Sequence, residues 1–314
     1  AVADLVGELG KGGIEGVADL LRAWAEHRYA RISKTVGIAL ARMLDDPVGI
    51  QPALDLLHTW AREPGDGPAA SRRAAAASAI WRLHAARGST PYRPSLLGLL
   101  YGFAGDPHRE VTASAAHSVR MISRSAGIGD LSPIMIRLAD QQEKYPRQQM
   151  AFALNEIAAR THRNADGLVE LLDAWSARTH KHVRWTAMCA LLLGDRIPRT
   201  ERHNLLVRLI TEKPALFLDV VVDCLDSRGD RSAEMRETAA RSFADLTETP
   251  PRGIRPTLVQ VLAKWELEQS QPSLVDRVVF LLPRDYPERI RAFLALLCRQ
   301  MLLDLASENP KRLL

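Results

Sequence analysis

One five-residue phrase recurs along the chain, and its spacing constrains the fold more than any other feature. Leu20-Leu21-Arg22-Ala23-Trp24, Leu56-Leu57-His58-Thr59-Trp60, Leu171-Leu172-Asp173-Ala174-Trp175 and Val261-Leu262-Ala263-Lys264-Trp265 each read as two aliphatics, two variable positions and Trp. Weaker copies end at Phe103 and Ala139, and the steps Trp24 to Trp60, Phe103 to Ala139 and Ala139 to Trp175 are each 36 residues. Between the copies runs a second pattern, rich in Ala and opened by basic residues: 31–44, 71–84, 109–122, 146–159, 181–193 and 232–246. In each, small or apolar residues return at three and four positions, the spacing of a buried helix stripe. Two helices of roughly 12 to 16 residues with their turns consume about 36 to 50 residues. Such a pair cannot bury its apolar face alone, so the period predicts stacking of pairs on a continuous core.

The expected fold is therefore all-α: a right-handed α-α superhelix, or α-solenoid, of about seven helix pairs. Aromatic residues are only 5% of the chain while Ala and Leu are abundant, which suits closely packed helices. Residues 1–250 are expected to form the repeat solenoid and 251–314 a C-terminal helical repeat or cap packed continuously on it, with Thr249-Pro250-Pro251-Arg252-Gly253 at the boundary. Segment 62–68, with two Gly and two Pro, is expected as a flexible loop within the second repeat. The last helix pattern, 289–305, is apolar on more than one face and is expected to cap the stack or to meet another chain.

The second-helix pattern resembles HEAT-type and armadillo-like repeats. Asp106-Pro107 before Arg109-Glu110-Val111, His182-Val183-Arg184 before Ala187 and Leu191, and Glu234-Met235-Arg236 before Ala239 match the HEAT signature in part. The resemblance spans about residues 15 to 250. It implies an interaction solenoid in which the Arg and Asp tie each intra-repeat turn to its neighbour.

Charge narrows the function less. The net charge is +5, but residues 1–160 carry 19 basic and 16 acidic side chains and the remainder 23 and 21, so the excess is thinly spread. With 35 Arg and 7 Lys, the basic bias and the Ala excess are both what a GC-rich coding sequence produces. One basic set is ordered: Arg31, Lys34, Arg72, Arg73, Arg109, Arg147, Lys181, Arg184 and Arg236 open successive second helices. In a solenoid, equivalent positions align into a stripe that could receive an acidic peptide or follow a phosphate backbone. The competing reading pairs them with acids of neighbouring turns. Cations at helix starts oppose the macrodipole, so they call for a reason beyond local stability. Trp24, Trp60, Trp81, Trp175, Trp185 and Trp265 are expected in the repeat core.

Chemistry finds little footing. Phosphate-loop, zincin and nucleophile-elbow motifs are missing, and Gly7-Glu8-Leu9-Gly10-Lys11-Gly12-Gly13 lacks the Ser or Thr that a phosphate loop carries after its Lys. His162, His180 and His182 do not converge, and Cys189, Cys224 and Cys298 have no metal-ligand spacing, so neither metal nor cofactor is expected. The three scattered cysteines read as buried thiols of a reducing compartment, here the cytoplasm. No apolar run is long enough for a membrane helix, and the opening segment lacks a signal peptide's basic head. The chain begins with Ala, as loss of Met or excision from a longer protein would leave it. The expected function is a non-catalytic scaffold or protein-interaction module, part of a larger regulatory protein, binding another protein or an acidic segment. The alternative is a nucleic-acid-binding HEAT-like protein of the DNA-glycosylase kind using the basic positions. Self-association through segment 289–305 is a third reading.

Overall fold

The computed structural model describes residues 2–11, 16–27, 30–43, 47–160, 166–194, 197, 199–225 and 238. They contain thirteen α-helices and no strand. The chain divides between Arg160 and Thr161 into two compact units. The expected boundary near residue 250, segment 289–305 and the repeat phrase ending at Trp265 lie outside the described residues.

In the first unit the helices are α1 (Val2–Lys11), α2 (Val17–Ala25), α3 (Ala30–Met43), α4 (Pro47–Arg62), α5 (Pro68–Ala85), α6 (Arg93–Phe103), α7 (Arg109–Ile122), α8 (Ile128–Ala139) and α9 (Lys144–Arg160), with a 3-10 turn at Arg87–Tyr92. The odd-numbered helices stack one on the next, α1 on α3, α3 on α5, α5 on α7 and α7 on α9. A second layer runs α4 on α6 and α6 on α8. The second unit holds α10 (Asp166–Ser176), α11 (Lys181–Leu193), α12 (Arg199–Glu212) and α13 (Pro214–Leu225), with α10 on α12 and α11 on α13. The expected second helices at 109–122 and 181–193 coincide with α7 and α11.

Small residues set the spacing of the odd-numbered layer. Ala75, Ala76, Ala77 and Ala79 of α5 are all buried, and the Ser118 hydroxyl of α7 donates to the Ala77 carbonyl at 2.6 Å. A larger side chain at 77 would push α7 off that carbonyl. At Gly7 a Cβ would stand 2.5 Å from Arg42 Cβ and 2.7 Å from the Ala39 carbonyl oxygen, so α1 reaches α3 only without a side chain there. Between the layers lie Leu21, Leu40, Leu57, Ile80, Leu83 and Leu100, each wholly buried.

The tryptophans divide. Trp60, Trp175 and Trp185 are buried. Trp24 and Trp81 are partly buried. Helix α2 packs chiefly on α3, α1 and α5. Trp81 stands one residue beyond the buried Ile80, and 100° of helical rotation carries it toward the less buried side of α5.

Candidate functional site

The basic residues that open the second helices are mostly spoken for. Arg73, only 5% exposed, sits at the centre of a network joining two successive turns. Its Nε donates to Asp106 Oδ2 at 2.7 Å, and its Nη1 donates to the carbonyls of Glu63 at 2.8 Å and Gly65 at 3.0 Å. Those carbonyls belong to the α4–α5 turn, where Gly65 and Gly67 adopt φ of 105° and 56°, conformations that suit Gly alone. The segment expected as a flexible loop is therefore a turn held by Arg73. Asp106 belongs to the α6–α7 turn of the next repeat and also accepts the His108 backbone N–H at 2.9 Å. The His108 ring lies between two acids, with Nδ1 2.9 Å from Asp106 Oδ1 and Nε2 2.5 Å from Asp66 Oδ1.

The electrostatics follow from this placement. Burial alone would raise the Asp106 carboxyl, but hydrogen bonds from Arg73 and from His108 outweigh it and hold the pKa below the usual carboxylate range. The hydrogen bond to Asp66, and then the one to Asp106, holds the His108 imidazolium proton to higher pH than an ordinary histidine. With Arg73 Nη2 also 2.9 Å from His108 Nδ1, the cluster ties the two turns together.

Other members of the basic set are engaged similarly. Arg72 pairs with Glu63 at 2.5 Å and with Glu26. Arg147 donates to the carbonyls of Glu143 at 3.2 Å and Gln142 at 3.3 Å, and Arg184 to that of Thr179 at 3.0 Å. This answers the macrodipole objection, because the guanidinium groups satisfy carbonyls of the preceding turn. Arg73 is thus corrected from a partner-binding to a structural position, since a guanidinium with three protein acceptors and 5% exposure has nothing to offer a partner. Arg109 and Lys181 are exposed. The side chains of Arg31 and Lys34, and Arg236 altogether, lie outside the described residues.

Among the described residues, the odd-numbered helices of the first unit also present a side whose side chains are only partly buried. Helical rotation and partial exposure place Thr35 and Ile38 of α3, Ser78, Trp81 and Arg82 of α5, His117 and Met121 of α7, and Gln148 and Phe152 of α9 on or beside it. Two arginines stack on its aromatics: Arg82 Cζ lies 4.3 Å from the Trp81 ring centre, and Arg120 Cζ 4.3 Å from that of Phe152. Arg120 also donates to Gln149 Oε1 at 3.3 Å. Arg82 meets no acidic partner among the described residues, and burial pushes its pKa down. This side, half apolar and topped by a cation without an acidic partner among the described residues, was not anticipated from sequence. The signal was available: Ile38, Trp81 and Phe152 are bulky apolar residues on the second helices one position outside the buried stripe.

The period also explains which residues meet. Arg73 and Asp106 are 33 residues apart, Gln141 donates to the Ala104 carbonyl across 37, and Trp185 Nε1 donates to Asp223 Oδ2 across 38. Cys189 and Cys224, 35 apart, bring their Sγ atoms to 3.6 Å. Taking pairs one period apart would have found them. His180 and His182 are at the start of α11, His162 is outside the described residues, and no group of three His, Cys, Asp or Glu is placed to hold a metal ion among the described residues. No described helix is long and apolar enough to cross a membrane.

No protein-family model matches the sequence, and no curated protein is similar to it. Solved structures do resemble the fold. Yeast importin-beta superposes with a TM-score of 0.50 at 14% identity, over 96% of this chain and 38% of that one. A crystal structure of importin beta in ammonium sulfate gives 0.46 at 16%, over 95% and 37%. An archaeal HEAT-like repeats protein from Thermococcus onnurineus NA1 gives 0.40 at 11%, over 90% and 98%. The chain thus spans little more than a third of the importin-beta chains it matches, and at such identity the likeness with yeast importin-beta speaks to the fold alone. Stacked helix pairs, turns tied across one period and that superposition agree: the chain is an all-α solenoid of the HEAT type.

Proposed function

We propose that the chain is a non-catalytic protein-interaction module, a scaffold within a larger regulatory protein, and that its partner lies along the partly buried side of α3, α5, α7 and α9. The observation that carries this reading is the partly buried Trp81 under an Arg82 that has no acidic partner among the described residues. A desolvated cation on an aromatic face is an unfinished interaction, which a carboxylate on a partner completes. The apolar neighbours Ile38, Met121 and Phe152 supply area at low cost in side-chain entropy. The exposed Arg109 and Lys181 remain available to select register through charge.

The nucleic-acid alternative draws less support, because Arg72, Arg73, Arg147 and Arg184 already serve acids and carbonyls within the protein.

The test is site-specific photo-crosslinking in the source cell, with the crosslinker at Ser78 or Gln148 and, as a control, at Ser95 on α6. We expect one protein captured from the first two positions and lost with Arg82→Glu. Capture from all three positions alike, or from none, overturns the assignment. A salt series with duplex DNA is the second arm: binding that weakens steeply with salt would favour nucleic acid.

A further inference from the structure

Cys189 on α11 and Cys224 on α13 are 35 residues apart in sequence, yet their Sγ atoms stand 3.6 Å apart. Both are free thiols and both are wholly buried. The two helices belong to the same unit and pack on each other. One turn before Cys189, Trp185 Nε1 donates to Asp223 Oδ2 at 3.0 Å, which pins α11 to α13 at the residue adjoining Cys224. The sulfurs are held face to face by the packing of two helices and not by a flexible loop. A disulfide requires them to approach to about 2.05 Å.

We propose that Cys189 and Cys224 are a modification site: a dithiol that a two-electron oxidant of the peroxide class converts to a disulfide fastening α11 to α13. The thiolate of one cysteine attacks the O–O bond, becoming a sulfenic acid and releasing one water once the leaving oxygen is protonated. The second thiol then attacks the sulfenic sulfur, the S–S bond forms, and the hydroxyl leaves as a second water with the thiol proton. Two thiols lose two electrons and two protons, and one peroxide becomes two waters. The neighbour at 3.6 Å intercepts the sulfenic acid before a further peroxide can carry it to sulfinic acid. Because both sulfurs are buried, oxidant enters only when this part of the chain opens, so the rate levels off at high peroxide.

The experiment uses the full chain carrying Cys298→Ser, so that the third cysteine cannot compete. The folded protein is exposed to hydrogen peroxide, quenched with N-ethylmaleimide and digested without reductant. The expected products are one linked peptide pair containing Cys189 and Cys224, loss of both thiols in step, and full recovery with dithiothreitol. The melting temperature of the oxidised chain rises, and Cys224→Ala abolishes the rise. Sulfinic acid on either cysteine without a linked peptide, linkage only between separate chains, or two unreacted thiols throughout would each overturn the proposal. Thiol counting on the Cys298→Ser chain decides the matter even if Cys224→Ala does not fold.

Discussion

Replacing Arg73 with Met should cost this protein more than any substitution of an exposed arginine. The Arg73 and Asp106 side chains are 6% and 10% exposed, so the pair is buried, and Met keeps the stem's volume while deleting the charge. What remains is a mostly buried carboxylate with His108 as its charged neighbour in the network. Breaking a buried pair from one side costs about 3–5 kcal/mol. Each carbonyl left behind, on Glu63 and Gly65, adds about 1 kcal/mol if water does not replace the lost donor. Against a typical total of about 5–15 kcal/mol, that removes much of the stability. The companion Arg73→Met/Asp106→Asn removes the orphaned charge and should recover about 2 kcal/mol of it, a coupling within the range for residues in one network. Arg22→Met serves as control, because Arg22 and Asp19 are 44% and 78% exposed and such pairs contribute about 0–1 kcal/mol. Urea titration gives the energies, and hydrogen exchange at residues 63–67 and 104–108 shows where protection is lost. A cost for Arg73→Met no larger than the control's, or a double variant as unstable as the two singles summed, would refute the reasoning.

Three further outcomes are expected. His108 keeps its proton above the ordinary histidine range, so its contribution is fully present below pH 6.5 and fades as pH rises through the raised folded value; Asp106, held low, contributes above pH 3.8 and loses that as pH falls through its lowered value. His84 runs the other way, since burial first and the Arg93 charge second depress its pKa, and its cost appears as pH falls below 6.5. Thermal melts should therefore show His108→Gln losing more at about pH 5.5 than at about pH 8.5, and His84→Gln the reverse. Gly7→Leu should destabilise by about 1–3 kcal/mol in denaturant titrations, because the obstacle at Ala39 is a backbone oxygen that cannot swing aside. Trp185→Phe should cost about 1.5–3 kcal/mol more than its volume change, for the lost bond to Asp223, whereas Trp60→Phe carries no such extra cost because the Trp60 indole N–H meets no acceptor among the described residues.

The architecture was legible because its causes are local and repeated. The limits of α7 and α11 follow from apolar residues at helical spacing bounded by turn residues, and the Trp phrase marks the alternate layer. Three things were not legible. That Arg73 points into the turn while Arg109 faces solvent depends on rotation within the helix, which the repeated basic character conceals. Trp81 reads as core by composition, and one step of rotation from the wholly buried Ile80 leaves it only partly buried. Cys189 and Cys224 look isolated until the period is applied to them, since nothing local marks either one. The aromatic side of α5 and α9 escaped notice for a related reason: Ile38, Trp81 and Phe152 are hydrophobic in both roles, and only the packing decides which are covered.

The contacts that tie repeat to repeat join residues some 33 to 38 positions apart, as in Arg73 with Asp106 and Trp185 with Asp223. Information in such a chain travels from neighbour to neighbour, as along a row of coupled spins, and each link it crosses weakens it. Folding can start at any well-formed pair and spread outward, with low loop-closure entropy at each step. A lesion at the Arg73 turn should melt its own repeat and the adjoining ones while α11 and α13 keep their protection, so the molecule can fray in one place and go on working in another.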